Sequence, residues 1–448
     1  MTRHFTLKMA MLYLLMPFTA NAQEPARAQE PLTLERAVQE ALARNPSLRA
    51  SQSGSEAAAA SARAVSASRF PRLSFTEGWQ RGDQPVFVFS TLLASRRFAA
   101  ANFALDRLNH PTPIGYFHGT AAIEQLLFDG GARTAIIDGA RAQGQIAGLS
   151  AQEAALSLAV SVTELYGRLL ASQAMSRATV ATLDAGREDL IRATRRRDAG
   201  VATEADVLAL RVHVADMEQR VIQADGDVAG LRAQLNRLMG RPIDRAFDAV
   251  EPAPAVETST PALSQLLAEA ASQRPDLARA AASERLADSA RRRARAAYLP
   301  TAAAQAAFDV GGTRITDRAA SWLVGGELRW SLGVGGGERA QMKAAAAASA
   351  RARAEADDAR AQAQVEVVTA LRQVESARAR QAVGLAAVAQ ARESQRIIRD
   401  RFDAGLAPVN DVLRAASAVL DADARRVSAL VDQVTGAARL DRAIGRQP

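Results

Sequence analysis

The chain has 448 residues, 48% of them hydrophobic but only 4% aromatic, which excludes a thick aromatic core and favours alanine-rich helices packed side by side. It has no cysteine, which excludes disulfides, thiolate metal sites, a cysteine nucleophile and a lipidated N-terminal cysteine. The formal charge is +8, but its arginines are interspersed with Asp and Glu rather than massed on one segment, which argues against nucleic acid as a partner.

In chain order, the first feature is the basic "MTRHFTLK", followed by the apolar "MAMLYLLMPF" and the small residues Ala20 and Ala22. This is the three-part pattern of a secretory signal peptide, residues 1–22, whose removal lowers the charge from +8 to +6. The apolar run is shorter than the roughly 20 residues a membrane-spanning helix needs. No later run approaches that length, so the reading is an exported chain without a helical membrane anchor.

The rest is one unit written twice. "DAGVATEADVL" at 198–208 and "DAGLAPVNDVL" at 403–413 share seven of eleven residues. Pro275 follows Pro46, and Pro300 follows Pro71, by 229 residues; after the insertion-bearing region the spacing drops to 206 and then 205. The first copy therefore carries about 23 extra residues, which fall within 81–113. Repeat one is placed at 23–245 and repeat two at 261–448, joined by a Pro-rich linker at 246–260.

Each copy reads as a short helix, a second helix stopped near a proline, two strands and two long helices. In repeat one the strands are expected at about 72–81 and 117–129, and the long helices at about 133–197 and 203–239. In repeat two the strands are expected at about 301–311 and 321–332, and the helices at about 339–402 and 408–444. In "SWLVGGELRWSL" at 321–332, Trp322, Val324, Leu328, Trp330 and Leu332 share one face, with Glu327 and Arg329 on the other. Strict alternation with tryptophan near each end fits a lipid-facing barrel strand as well as a half-buried strand of a soluble sheet. The helix at 203–239 carries a three-four seam from Val207 and Leu210 to Leu235 and Leu238, as in coiled coils. The preceding helix carries a seam with small and polar members, Ser172, Ser176, Thr179 and Gly186. Gly200 and Gly405 close the long helices at the left-handed position, which makes each repeated loop the tip of a helical hairpin, with Asp198 and Asp403 beside it. Thr203 and Pro408 fit the start of the outgoing helices, and Asp206 and Asp411 fall in their first turns. The bland reading of these two carboxylates is a helix cap; the functional one is a ring favouring cations at a constriction.

No catalytic or metal-binding constellation is expected. His110 and His118 merely flank a Pro-Thr-Pro turn, and His213 lies alone on a helix. "SLGVGGGERA" imitates a dinucleotide loop, but the third glycine position is Glu338, which would repel phosphate.

The leader, "LTLERAVQEALARNPSLRA", "QLLFDGGAR", "DAGVATEADVL", "RPDL" and "FDAGLAPVNDVL", in this order and duplicated, resemble the TolC-like outer-membrane efflux proteins over essentially the whole mature chain. The resemblance implies an α+β membrane protein: a homotrimer whose twelve-stranded outer-membrane barrel, four strands per chain, continues as a long coiled-coil tube in the periplasm. It implies a passive exit duct with no cofactor, surrounded by outer-membrane lipid and docked through its tips to a periplasmic adaptor and an inner-membrane transporter. Independently, four strands are too few to close a membrane barrel, and open edges are not tolerated in lipid. By the same resemblance, Asp411 matches an aspartate that rings the periplasmic entrance, and Asp206 a member of the network that holds it shut. Two family positions differ: a second aspartate is Arg414, and a locking arginine is Ala407. The segment at about 81–113 becomes the longer external loop of the first hairpin, and Trp322 and Trp330 the membrane-interface aromatics. The competing expectation is a soluble periplasmic coiled-coil adaptor or scaffold with a small β domain.

Overall fold

The computed structural model describes residues 30–251, 261–331 and 333–446. The leader, most of the linker and Leu332 lie outside the described residues. Repeat one comprises β1 (Glu30–Leu32), α1 (Leu34–Arg44), α2 (Pro46–Ser66), β2 (Arg72–Gly82), α3 (Pro85–Ala94), α4 (Leu105–Asn109), β3 (Ile114–Phe128), α5 (Ala132–Asp198), α6 (Glu204–Met239) and β4 (Phe247–Ala249). Repeat two comprises α7 (Leu263–Gln273), α8 (Pro275–Ala296), β5 (Thr301–Arg314), β6 (Asp317–Arg329), α9 (Gly337–Asp403) and α10 (Val409–Ile444). The element order repeats, apart from α3, α4 and the short strands β1 and β4.

α5 and α9 are 67 residues each, about 100 Å at 1.5 Å per residue. The matching prolines both open helices, at the first position of α2 and α8, where a missing N–H costs nothing. Asn45 caps α2 by accepting from Leu48 N at 3.0 Å and ties it to α6 by donating to Leu238 O at 2.8 Å. The α6 seam is turned inward: Val207, Leu210, Met217, Val228 and Leu235 are buried. The α5 seam faces α6 where Gly186 lies against His213; burial lowers the His213 pKa.

α5 is the one described helix long and apolar enough to cross a membrane, contrary to the expectation that no later run approaches that length. Part of this apolarity serves the core. Val162, Leu165, Tyr166 and Leu169 sit in the main core, packed against Leu32, Leu235, Met239 and Phe247. Here β1 and β4 pair in parallel. The buried Tyr166 hydroxyl is 2.6 Å from Leu32 O and 2.7 Å from Val250 O, and accepts from Val250 N at 2.9 Å. Burial raises its pKa to about 12.

One ion pair is duplicated with the repeat. Arg241 holds Glu40 with both nitrogens of its fork, and 205 residues later Arg446 holds Glu269 at 3.0 and 3.2 Å. The preceding residues, Gly240 and Gly445, end α6 and α10 in the left-handed conformation. A β-carbon there would lie 2.7 Å from the Arg44 carbonyl oxygen or the Arg274 nitrogen, so only glycine lets the chain approach this closely.

The four long strands form one antiparallel sheet in the order β2-β3-β5-β6, which leaves β2 and β6 as open edges. Its strand limits correct the sequence reading. β3 starts at Ile114 rather than 117, and β5 runs to Arg314 rather than 311. β6 spans 317–329 rather than 321–332, because the β5–β6 turn is only Ile315 and Thr316. Trp330 follows the strand end and donates its indole N–H to Tyr298 O at 3.1 Å. The segment between β2 and β3, read as a plain loop, holds the helices α3 and α4.

Candidate functional site

The hairpin tips are built by one local device used twice. Gly200 and Gly405 have φ of 79° and 78°. Gly200 N donates to Arg197 O at 2.8 Å and Val201 N to Arg196 O at 2.9 Å; Gly405 N and Leu406 N do the same with Phe402 O and Arg401 O at 2.9 and 2.8 Å. This nested pair of bonds satisfies the last free carbonyls of each long helix. The two tips share one apolar cluster, formed by Ala193, Val207, Leu210, Phe402, Val409 and Val412. Arg196 fastens them further, its guanidinium donating to Phe402 O at 2.5 Å and lying 5.1 Å from that residue's ring centroid. Above the tips, the buried Asp189 of α5 meets Arg192 of its own helix and Arg399 of α9 at 3.5 Å. Asp198 is held by Arg197, which also reaches Glu204 at 2.9 Å. Those two hydrogen bonds raise the Arg197 pKa. Asp403 is exposed.

Asp206 and Asp411 occupy the same position, three residues into the outgoing helix, yet face different partners. Asp206 Oδ2 accepts from Thr203 N at 3.1 Å and from the Thr203 hydroxyl at 2.7 Å, while Asp206 N donates to Thr203 Oγ1 at 3.2 Å. This is a capping box, so its carboxylate is engaged inside its own helix end. In the second tip the cap is Pro408, which has neither hydroxyl nor N–H. The Asp411 carboxylate therefore turns to Arg414, at 3.0 Å. Ala407, at the position where the resemblance places a locking arginine, packs on the tip cluster. The cation joining the two tips is Arg196, with Arg399 on Asp189 above it; the sequence reading missed both, and the run Arg195–Arg197 ahead of Gly200 was the only trace of the first.

At the other end of the molecule the sheet has two unlike faces. Strand register puts Leu73, Phe75 and Trp79 of β2 on one face with Phe117 and Ile123 of β3, Phe308 and Val310 of β5, and Trp322, Val324 and Leu328 of β6. The opposite face carries Arg72, Ser74, Thr76, Thr120, Glu124, Gln305, Asp309, Ser321, Glu327 and Arg329, with Thr120 donating to Asp309 at 2.6 Å. Trp322 and Trp330 are eight residues apart, roughly 27 Å along a strand, comparable to the ~25 Å apolar band of an outer-membrane barrel once strands tilt. Phe75, Phe308 and Trp322 lie in one row across the sheet. Near the rim the apolar face carries one ion pair, Arg318 reaching Glu77 at 2.8 Å across the bare Gly119. His118 stacks on Tyr116 over Gly78, and His110 ends α4. Among the described residues, no three His, Cys, Asp or Glu side chains form a group that could hold a metal ion.

A sheet with one mainly apolar and one mainly polar face, continued by helical hairpins at least about twice its height, has the build of an outer-membrane channel subunit. The solved structures agree on the fold. A membrane protein from Pseudomonas aeruginosa is 22% identical, with a TM-score of 0.78 over 92% of this chain and 93% of that one. The outer membrane protein VceC from Vibrio cholerae is 21% identical, with a TM-score of 0.76 over 92% and 96%. The CmeC outer membrane channel of Campylobacter jejuni is 16% identical, with a TM-score of 0.80 over 92% and 86%. Comparison with curated protein sequences gave no match. The profile of the outer membrane efflux protein family matches residues 37–241 and 266–446, and the chain belongs to that family. It is an outer-membrane efflux channel, with its sheet in the outer membrane and its helices in the periplasm; the soluble adaptor or scaffold is not favoured.

Proposed function

We propose that three copies of this chain form a passive exit duct, closing a twelve-stranded barrel and a helical tube. The tips dock to a periplasmic adaptor and an inner-membrane transporter that supplies the energy, and the duct itself catalyses no reaction and uses no cofactor. The observation that carries this reading is the four-stranded sheet with one apolar face and unpaired edges on β2 and β6. In lipid those edges need partners, and only further copies of the same sheet supply them.

The repeat supports the same assembly. Val427 of α10 is 6% exposed and lines a groove with Ala178 of α5. Their counterparts 205 residues away, Ile222 of α6 and Val383 of α9, are 74% and 69% exposed. A neighbouring copy that repeats the internal contact brings one against the other. For the adaptor, the supporting observation is Val201 and Leu406, two exposed apolar side chains on the tip turns. Asp411 is the proposed lining of the entrance and Asp206 a structural cap. Trp322 and Trp330 mark the two membrane interfaces. Trimer mass in detergent, together with conductance in planar bilayers, tests the duct. A monomer with no channel activity would sink it.

A further inference from the structure

The connection from β2 to β3 takes residues 83–113, whereas its counterpart from β5 to β6 takes only Ile315 and Thr316. Two residues suffice to turn an antiparallel pair, so the longer segment is not there to make the sheet. It is a small folded body. α3 buries Val88 and Thr91. Phe98 meets Phe89 and Phe103 edge to face, with centroids 4.8 and 5.0 Å apart. The Ser95 hydroxyl donates to Thr91 O at 2.6 Å. Arg96 N donates to Leu93 O at 3.0 Å and Arg97 N to Leu92 O at 2.8 Å, closing the helix end.

Arg96 makes that turn with φ of 56°, the only non-glycine in the left-handed region among the described residues. A side chain there is strained by its β-carbon, and glycine would avoid the strain. What arginine adds is reach. Its guanidinium donates to Ala320 O of β6 at 3.0 Å, and Arg97 bonds the Thr313 hydroxyl near the end of β5. The body is thus rooted between β2 and β3 and strapped to the far hairpin, lying across the end of the sheet opposite the long helices.

Four of its large apolar side chains are left uncovered by the chain itself: Val86, Leu93, Phe103 and Leu105 are all exposed, the first at 82%. Rooted at one open edge of the sheet and tied to the other, the body borders both seams at which a neighbouring copy joins. We propose that these apolar side chains are covered by the same body of the neighbouring copies, and that the three bodies close the outer mouth of the barrel as one lid. This rests on the trimeric duct proposed above.

The absence of native cysteine makes single cysteines clean reporters. Ser321→Cys places a thiol on the polar face of β6, opposite Asp309 and four residues below the turn. On intact cells, a bulky membrane-impermeant maleimide added from outside should label it slowly. Replacing residues 84–112 by a two-residue turn should raise the rate at least tenfold. The double variant Arg96→Ala/Arg97→Ala, which keeps the segment and removes its straps, should do the same. Under mild oxidation, Phe103→Cys or Leu105→Cys should give disulfide-linked subunits. Unchanged labelling in both lid variants, or no crosslink at either position, overturns the lid. Trimer mass in detergent, measured on each variant, separates this outcome from failure of the duct reading, which would appear as monomer.

Discussion

Two aspartates at one repeat position show how a neighbour decides what a residue does. Thr203 absorbs Asp206 into a capping box, whereas Pro408 cannot, and Asp411 is left to Arg414. The carboxylate proposed for the entrance is therefore paired with a cation at the position where the resemblance suggested a second acid. Arg414→Ala should expose the negative ring and raise cation over anion selectivity, read as a shift in reversal potential across a salt gradient. Asp411→Asn leaves Arg414 uncompensated and should shift it the opposite way, toward anions. Selectivity unchanged by Arg414→Ala would take Asp411 off the pore lining. Asp206→Ala should leave selectivity alone and cost the helix end about 1 kcal/mol, measured by the melting temperature.

At the scale of elements, the duplicated bond of Arg241 with Glu40 and Arg446 with Glu269 separates geometry from energy. The Arg241 side chain is 2% exposed and that of Arg446 is 52% exposed. Arg241→Ala should therefore destabilise the helical region by about 3 kcal/mol, while Arg446→Ala should cost less than about 1 kcal/mol. Both are readable as melting shifts by far-ultraviolet circular dichroism. The Arg241 hydrogen bond holds the Glu40 pKa below its ordinary 4.5. A depressed folded value means the pair stabilises fully above that ordinary value and is lost as pH falls through the folded one. Acid melting below pH 4.5 should thus be blunted in Arg241→Ala. These contacts were not legible in the sequence, because long-range pairing of arginine with glutamate has no local signature. The long helices were, because a seam and a left-handed glycine are local: α5 and α9 end within one residue of where spacing put them. β1 and β4, three residues each, carry too few positions for any period to show. α3 escaped because its run "PVFVFSTLLA" is apolar all round and has no helical stripe.

For the whole molecule, the repeat turns one subunit into a description of its own neighbours. If the contact of Val427 with α5 recurs between chains, Ile222→Cys with Val383→Cys should form disulfides only between subunits and yield a covalent trimer in denaturing gels. Crosslinks confined to single chains would refute that packing. The two bare edges of the sheet also constrain how such a channel is made. A lone subunit has water-soluble rods but a ribbon that can survive neither in the bilayer, where its backbone would lack hydrogen-bond partners, nor for long outside it, where it would stick to any other strand. If three copies close the barrel, these edges disfavour a route in which finished monomers insert first and find each other later. On the proposed trimer, the ribbons are expected to enter the membrane together, as a ring already closing.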